Sequence, residues 1–138
     1  MMRITLVVLL SLFLPRIAVA QQCLHGADES ADQKARRRDA VGATRQVNNV
    51  QANRPDARRA VYLDQAEIAS WYMEQAKKSG AATPYNFEPE AEVLPGWQLT
   101  LNKTENGYWF MIKDKTDPCG FTLISNQAGL IYFAEPMR

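Results

Sequence analysis

From Trp97 onward the chain alternates apolar and polar residues in short runs separated by turn residues. The runs are WQLTLN, YWFMIK, FTLIS and LIYF, with TENG, DKTDPCG and NQAG between them. Alternation with a period of two is typical of a strand with two different faces. Asn-Gly favours a tight hairpin turn, because both residues tolerate positive φ. Since the turns are short, residues 97–138 are predicted to form a four-stranded antiparallel β-meander.

The strand YWFMIK has two apolar faces. The face that we expect the helices to cover carries Tyr108, Phe110 and Ile112, with Leu99 and Leu123 from the neighbouring strands. The opposite face carries Trp109, Met111 and Lys113. Left uncovered, Trp109 and Met111 form a candidate binding surface, because exposed apolar patches usually mark interaction sites. The alternative is that another segment buries this face too.

Residues 21–80 carry helical patterns in two segments. In the first, residues 28–52, good helix formers dominate until Gly42, and Ala40, Val47 and Val50 recur at helical spacing. Large apolar side chains are scarce there, so this segment is predicted to bury only a thin stripe.

The second helical segment has a stronger amphipathic pattern. One side of its helical wheel is apolar and is expected to face the core through Val61, Ile68, Trp71 and Tyr72. Asn53 is the predicted N-cap, with Pro55 in the first turn. The helix is predicted to end at Gly80, directly after two lysines and a serine.

Residues 81–96 contain three prolines and three glutamates and are predicted to be an irregular connector. A helical half followed by a strand half indicates an α+β fold. The length of residues 21–138 fits a single domain.

The first twenty residues have the layout of a cleavable secretory signal. Arg3 gives a positive start, residues 4–14 are almost continuously apolar, and Ala-Val-Ala ends the segment at Ala20. Cleavage there predicts a secreted or periplasmic protein beginning at Gln21, with no transmembrane segment in the mature chain. Lipidation of Cys23 is the competing hypothesis, which Gln22 disfavours because lipoprotein signals carry a small residue at that place.

Export gives the two cysteines a context, because disulfides persist in oxidising compartments. Cys23 and Cys119 can form only one intramolecular bridge, and they are predicted to be bonded. The alternatives are a metal site and a reactive thiol. A metal site would need more ligands than two cysteines and His25, the single histidine. A thiolate at Cys23 beside His25 is conceivable, but a disulfide would consume it.

Removal of the signal leaves 14 basic and 15 acidic residues, a balance that argues against specific nucleic-acid binding. The charge is unevenly distributed, however. Residues 34–59 carry eight basic and two acidic residues, including the run Arg36, Arg37 and Arg38. This segment is a candidate site for an acidic protein partner or a cell-surface component. The alternative is that its arginines pair with the chain's own acidic residues.

No catalytic signature is found in the sequence, which lacks GxSxG, HExxH and a phosphate-binding glycine loop. With one histidine, a nucleophile–base–orienter set is hard to assemble. We therefore expect a non-catalytic module without cofactor or metal. The alternative is a small periplasmic enzyme or inhibitor with a site on the connector and hairpin loops.

The stretches ATRQVNNVQAN, AVYLDQAEIA and NGYWFMI, followed by CGFTLISNQAGLIYFAEP, are similar to the headpiece of type IV pilin-like (pseudopilin-like) proteins. The resemblance implies an α+β headpiece of bacterial origin with a structural or binding role. The family's short leader ending in glycine and its long apolar anchor helix have no counterpart in this sequence. The resemblance therefore implies a headpiece exported without a filament anchor.

Overall fold

The computed structural model describes residues 23–54 and 61–135. Two helices precede five strands: α1 Ala31–Asn53, α2 Gln65–Ser79, β1 Glu92–Leu94, β2 Trp97–Lys103, β3 Tyr108–Asp114, β4 Thr122–Asn126 and β5 Ile131–Ala134. The strands form one antiparallel sheet in the order β1-β2-β3-β4-β5. The predicted α+β class is confirmed.

The sheet has five strands, so the prediction of four was wrong. The additional strand, β1, lies in the segment expected to be an irregular connector. It pairs with β2 in an irregular register and buries Val93. Three residues are too few to show an alternating pattern, and Pro95-Gly96 directly afterwards looks like part of a longer loop. The other four strands are those predicted.

Helix α1 begins at a capping box in which Ser30 and Gln33 satisfy each other's backbone groups. Its buried stripe is thin, as expected, but it lies at the centre of the core. The stripe consists of small and medium side chains with no exposure, Ala40, Ala43, Val47 and Val50. Small side chains let a helix approach a sheet closely, and α1 packs directly on β4.

A polar contact fixes the position of α1 on the sheet. The Tyr108 hydroxyl donates to Asn48 Oδ1 at 3.1 Å, and Asn48 Nδ2 donates to Ser125 Oγ at 2.9 Å. Asn48 therefore connects the helix to β3 and β4. Burial raises the pKa of Tyr108 to about 12, so this phenol stays protonated in its contact with Asn48 at neutral pH.

Helix α2 starts later than predicted. Its N-cap is Asp64, in a capping box with Glu67, whereas Asn53 is the last residue of α1. Burial of Val47, Val50 and Gln51 keeps α1 helical to Asn53 although its last turns contain poor helix formers, and the Asp64–Glu67 pair supplies the stronger start signal. Pro55 lies outside the described residues. The predicted end is confirmed, since Gly80 has φ 66° and its N–H donates to the carbonyl of Ala76.

The two faces of the sheet are assigned as predicted. Phe110, Ile112 and Leu123 have no exposure and cluster with the buried residues of both helices. From α2, Ile68 and Tyr72 join this core, whereas Val61 is 49% exposed in the segment before the helix. Within residues 23–54 and 61–135, neither helix has the apolar length needed to cross a bilayer.

Candidate functional site

The sheet face opposite the helices carries a row of apolar side chains. Met111 lies opposite Ile124, and Ile124 lies opposite Tyr132, so one line crosses β3, β4 and β5. Trp109 stands beside this line on β3, on the same face as Met111. We call these four residues the outer row. The strand register places them together, because residues at alternate positions share a face.

The outer row is open to solvent. Trp109 is 42% exposed and Tyr132 is 52% exposed, while Met111 and Ile124 are half-buried by their neighbours. The buried parts of α1 and α2 join the core on the opposite face. Trp109 and Met111, the two candidate binding residues on β3, are thus brought together on one accessible surface.

The outer row ends at β5, an edge strand that pairs only with β4 among the described strands. Its sequence, Ile-Tyr-Phe-Ala, contains no charge and no proline. Leu130, directly before it, and Phe133 within it are 57% and 52% exposed. Phe133 lies on the opposite face from Tyr132, so apolar side chains flank the open edge on both sides. Sequence reasoning identified the strand but missed that it is an edge.

The three candidate arginines lie elsewhere. Arg36 approaches Asp114 at 3.4 Å, and Arg37 pairs with Glu29 at 2.8 Å. Arg38 is exposed on α1. Arg37 also lies over the ring of Phe133, 5.9 Å from its centroid, on the face of β5 away from the outer row. The structure therefore does not combine the arginines with Trp109 and Met111 into one site.

The predicted disulfide Cys23–Cys119 is present, with Cα atoms 5.2 Å apart. It joins the start of the described chain to the turn between β3 and β4. Asp117 organises this turn, because its carboxylate accepts from the backbone N–H groups of Leu24, Cys119 and Phe121. The bridge thus closes a hydrogen-bonded turn.

The single histidine, His25, is buried near the start of the described chain. The residue is 3% exposed and lies between two buried carboxylates. Its Nδ1 is 2.8 Å from Glu29 Oε1, and its Nε2 is 2.9 Å from Asp114 Oδ2. Asp114 is separated from His25 by 89 positions in the sequence, so no local pattern could indicate the contact.

The pKa values of both carboxyl groups lie below their ordinary values. Burial by itself raises the pKa of Glu29, but hydrogen bonds from Arg37 and His25 outweigh it. Burial likewise raises the pKa of Asp114, and hydrogen bonds from Thr116 and His25 reverse the shift. The two carboxylates contact opposite nitrogens of the ring, so they do not converge on one point. No group of metal-binding side chains is found in the parts of the chain that the structure describes.

A cleft of about 580 Å³ lies between α2 and the segment before β1. Its wall includes Tyr72, Tyr85 and Phe87, with Glu88 and Glu92 among its polar residues. Burial raises the pKa of both tyrosines, so their hydroxyls are neutral at physiological pH. Because these tyrosines stay neutral and lie on an apolar wall, they are better suited to hydrophobic contact than to proton transfer.

Comparison with known proteins gives no further guide to the site: no family model, no curated protein and no solved structure matches the chain.

Proposed function

We propose that this protein is an exported, non-catalytic binding module that contacts another protein through the outer row and the open edge of β5. One observation carries the proposal. Among residues 23–54 and 61–135, no element covers the outer row Trp109, Met111, Ile124 and Tyr132, which runs to an edge strand that is itself apolar on both faces.

The chemistry of this edge suits an extended segment of the partner. An edge strand offers unpaired backbone N–H and C=O groups that can bind an added strand. Tyr132 and Phe133 lie on opposite faces of β5, so an added strand with alternating apolar side chains would contact both. Backbone hydrogen bonds would supply affinity, and the two aromatic residues would supply selectivity.

Two further features support export and a headpiece role. The signal-type N-terminus and the Cys23–Cys119 bridge both suit a secreted or periplasmic protein. Two helices followed by an antiparallel sheet, with a cysteine in the turn before β4, agree with the resemblance to pilin-like headpieces. In this proposal the module binds its partner as a separate exported protein.

A peptide of residues 129–135, Gly-Leu-Ile-Tyr-Phe-Ala-Glu, is a direct probe of the edge, because it carries apolar residues suited to both faces. We expect it to bind the intact protein saturably in fluorescence anisotropy. Phe133→Lys places a charge on the edge strand, and natural proteins use such charges to prevent edge strands from pairing. This substitution should therefore weaken peptide binding by about tenfold or more.

The matched control is Met73→Lys. Met73 is 41% exposed on α2 and lies on the wall of the cleft, outside the outer row and β5, so its replacement should leave peptide binding unchanged. Equal losses in the two variants, or no saturable binding to the unmodified protein, would contradict strand addition at β5.

A further inference from the structure

The segment before α1, Cys23–Ser30, lies against the sheet, and we call it the N-terminal arm. The disulfide holds its first residue, and the backbone N–H of Leu24 donates to Asp117 Oδ1 at 3.0 Å. The His25 ring packs on two aromatic residues of the core, 4.5 Å from the Phe121 ring and 5.5 Å from the Trp97 ring. The arm therefore covers part of the core.

The His25 ring bridges an acidic residue of the arm and one of the sheet. Its nitrogens lie 2.8 Å from Glu29 and 2.9 Å from Asp114. An ionised carboxylate can only accept hydrogen bonds, so the ring is placed to join the two acidic side chains.

Each of these carboxyl groups also faces an arginine of α1. Arg37 forms hydrogen bonds of 2.8 to 3.1 Å to Glu29, and Arg36 lies 3.4 to 3.5 Å from Asp114. The arginine side chains are partly exposed, whereas both carboxyl groups are buried. Protonation of the two carboxyls would therefore remove the negative charges that the arginines contact. Thr116, which is uncharged, donates hydrogen bonds to Asp114 from its backbone N–H and its hydroxyl. Asp117, in the turn between β3 and β4, accepts a hydrogen bond from the arm at Leu24.

We propose that the N-terminal arm is a latch with two independent locks, the Cys23–Cys119 bridge and an ionic lock formed by the contacts of His25 with Glu29 and Asp114, and that it opens only when both are released. Acid releases the ionic lock, because protonation of the two carboxyls weakens their contacts with the ring and with the neighbouring arginines. A thiol reductant releases the other lock. It supplies two electrons and two protons to give two cysteine thiols, and is itself oxidised to a disulfide.

Opening the arm would uncover Trp97 and Phe121, which are buried beneath His25. Phe121 lies 6.0 Å from Phe133 on β5, so the uncovered surface adjoins the open edge. The latch itself does not depend on the proposed strand addition, and its tests use no partner.

The experiment removes the locks separately and together at neutral pH. The double variant Cys23→Ser with Cys119→Ser lacks the bridge, and Glu29→Gln removes one buried charge at nearly constant shape. Amide hydrogen exchange of Leu24 reports the arm, and that of Phe110 reports global opening. Glu74→Gln is the charge control, because Glu74 forms an exposed pair with Lys78.

Each single release should accelerate Leu24 exchange by no more than about threefold. Relative to the bridge-free variant, the combined variant should accelerate it by about tenfold or more, whereas Phe110 exchange should change far less between these two variants. A tenfold acceleration after removal of the bridge alone would overturn the latch, because the ionic lock would then hold nothing. Unchanged Leu24 protection in the combined variant would overturn it as well.

If the combined variant fails to fold, the bridge-free protein can be titrated with acid. Leu24 protection should then be lost at a higher pH than Phe110 protection, and simultaneous loss would contradict a separate arm.

Discussion

Trp109 and Phe110 are neighbours in the same strand and both are large aromatic residues, yet their surroundings differ completely. Phe110 has no exposure and lies under the helices, whereas Trp109 is 42% exposed on the opposite face. Strand alternation explains which side each residue faces. It does not explain why only one side is covered. That depends on α1 and α2, both of which pack on the Phe110 face.

The two edges of the sheet show a similar contrast. β1 is short, pairs in an irregular register and is followed by Pro95, features that discourage further pairing. β5 is regular, lacks charge and proline, and exposes Tyr132 and Phe133. The open face and the open edge meet at β5. In the described part of the chain, exposed apolar side chains of the outer row and of β5 therefore lie next to each other, and this is the surface that we propose for contact with another protein.

The largest expected effect is a difference in stability between variants on the two faces of the sheet. Phe110→Ala removes a fully buried ring and should lower the free energy of unfolding by about 3–5 kcal/mol. Trp109→Ser should cost about 1 kcal/mol or less, because its side chain already contacts water. Urea unfolding measures both. A loss of 3 kcal/mol or more, of the size expected for a core residue, in Trp109→Ser would mean that the outer face is part of a core.

The disulfide should have the next largest effect. It closes a loop with a sequence separation of 96. Replacing both cysteines with serine should lower the free energy of unfolding by about 2–4 kcal/mol, since the unfolded chain regains the entropy of the open loop. Thermal or urea unfolding under non-reducing conditions measures the change. Unchanged stability would mean that the bridge adds nothing to the contacts of the N-terminal arm.

A smaller effect distinguishes two tyrosines. Tyr108→Phe deletes the hydroxyl that donates to Asn48 and should cost about 1 kcal/mol. Tyr132→Phe deletes an exposed hydroxyl and should change stability by less than about 0.5 kcal/mol. Equal costs in urea unfolding would contradict the role of Asn48 in fixing α1 on the sheet.

The smallest expected change is in the pH dependence of stability. The folded-state pKa of Glu29 is lowered, so its contribution is present above its ordinary value of 4.5 and is lost as the pH falls through the folded value. Glu29→Gln should therefore reduce the loss of stability in that acid range. Urea unfolding between neutral and acidic pH tests this, with Glu74→Gln as an exposed control. An identical acid response in wild type and Glu29→Gln would refute the assignment.

Local patterns were sufficient to predict much of this fold. The alternation of residues along β3 predicted which side chains share each face of the sheet. The cysteine count predicted the disulfide, and Gly80 predicted the end of α2. The errors have physical causes. β1 is too short to show a pattern, and Asn53 followed by Pro55 resembled a helix start although the N-cap of α2 is Asp64.

The candidate site was less predictable than the fold. Trp109 and Met111 were identified from alternation, but Ile124 and Tyr132 joined them only through the register of three strands. The contact of His25 with Asp114 spans 89 positions, and polar residues in loops carry no periodic signal. Long-range pairing of charges becomes visible only once the chain is folded.

Photocrosslinking most directly tests the central claim that the outer row and β5 contact another protein. A photoreactive amino acid is placed at Tyr132 in one exported variant and at Met73 in another, since both side chains are exposed and apolar. Illumination in the cells that make the protein should give a covalent adduct with one partner protein from position 132. Position 73 should give none. An adduct from position 73 with none from position 132, or none from either, would contradict the claim.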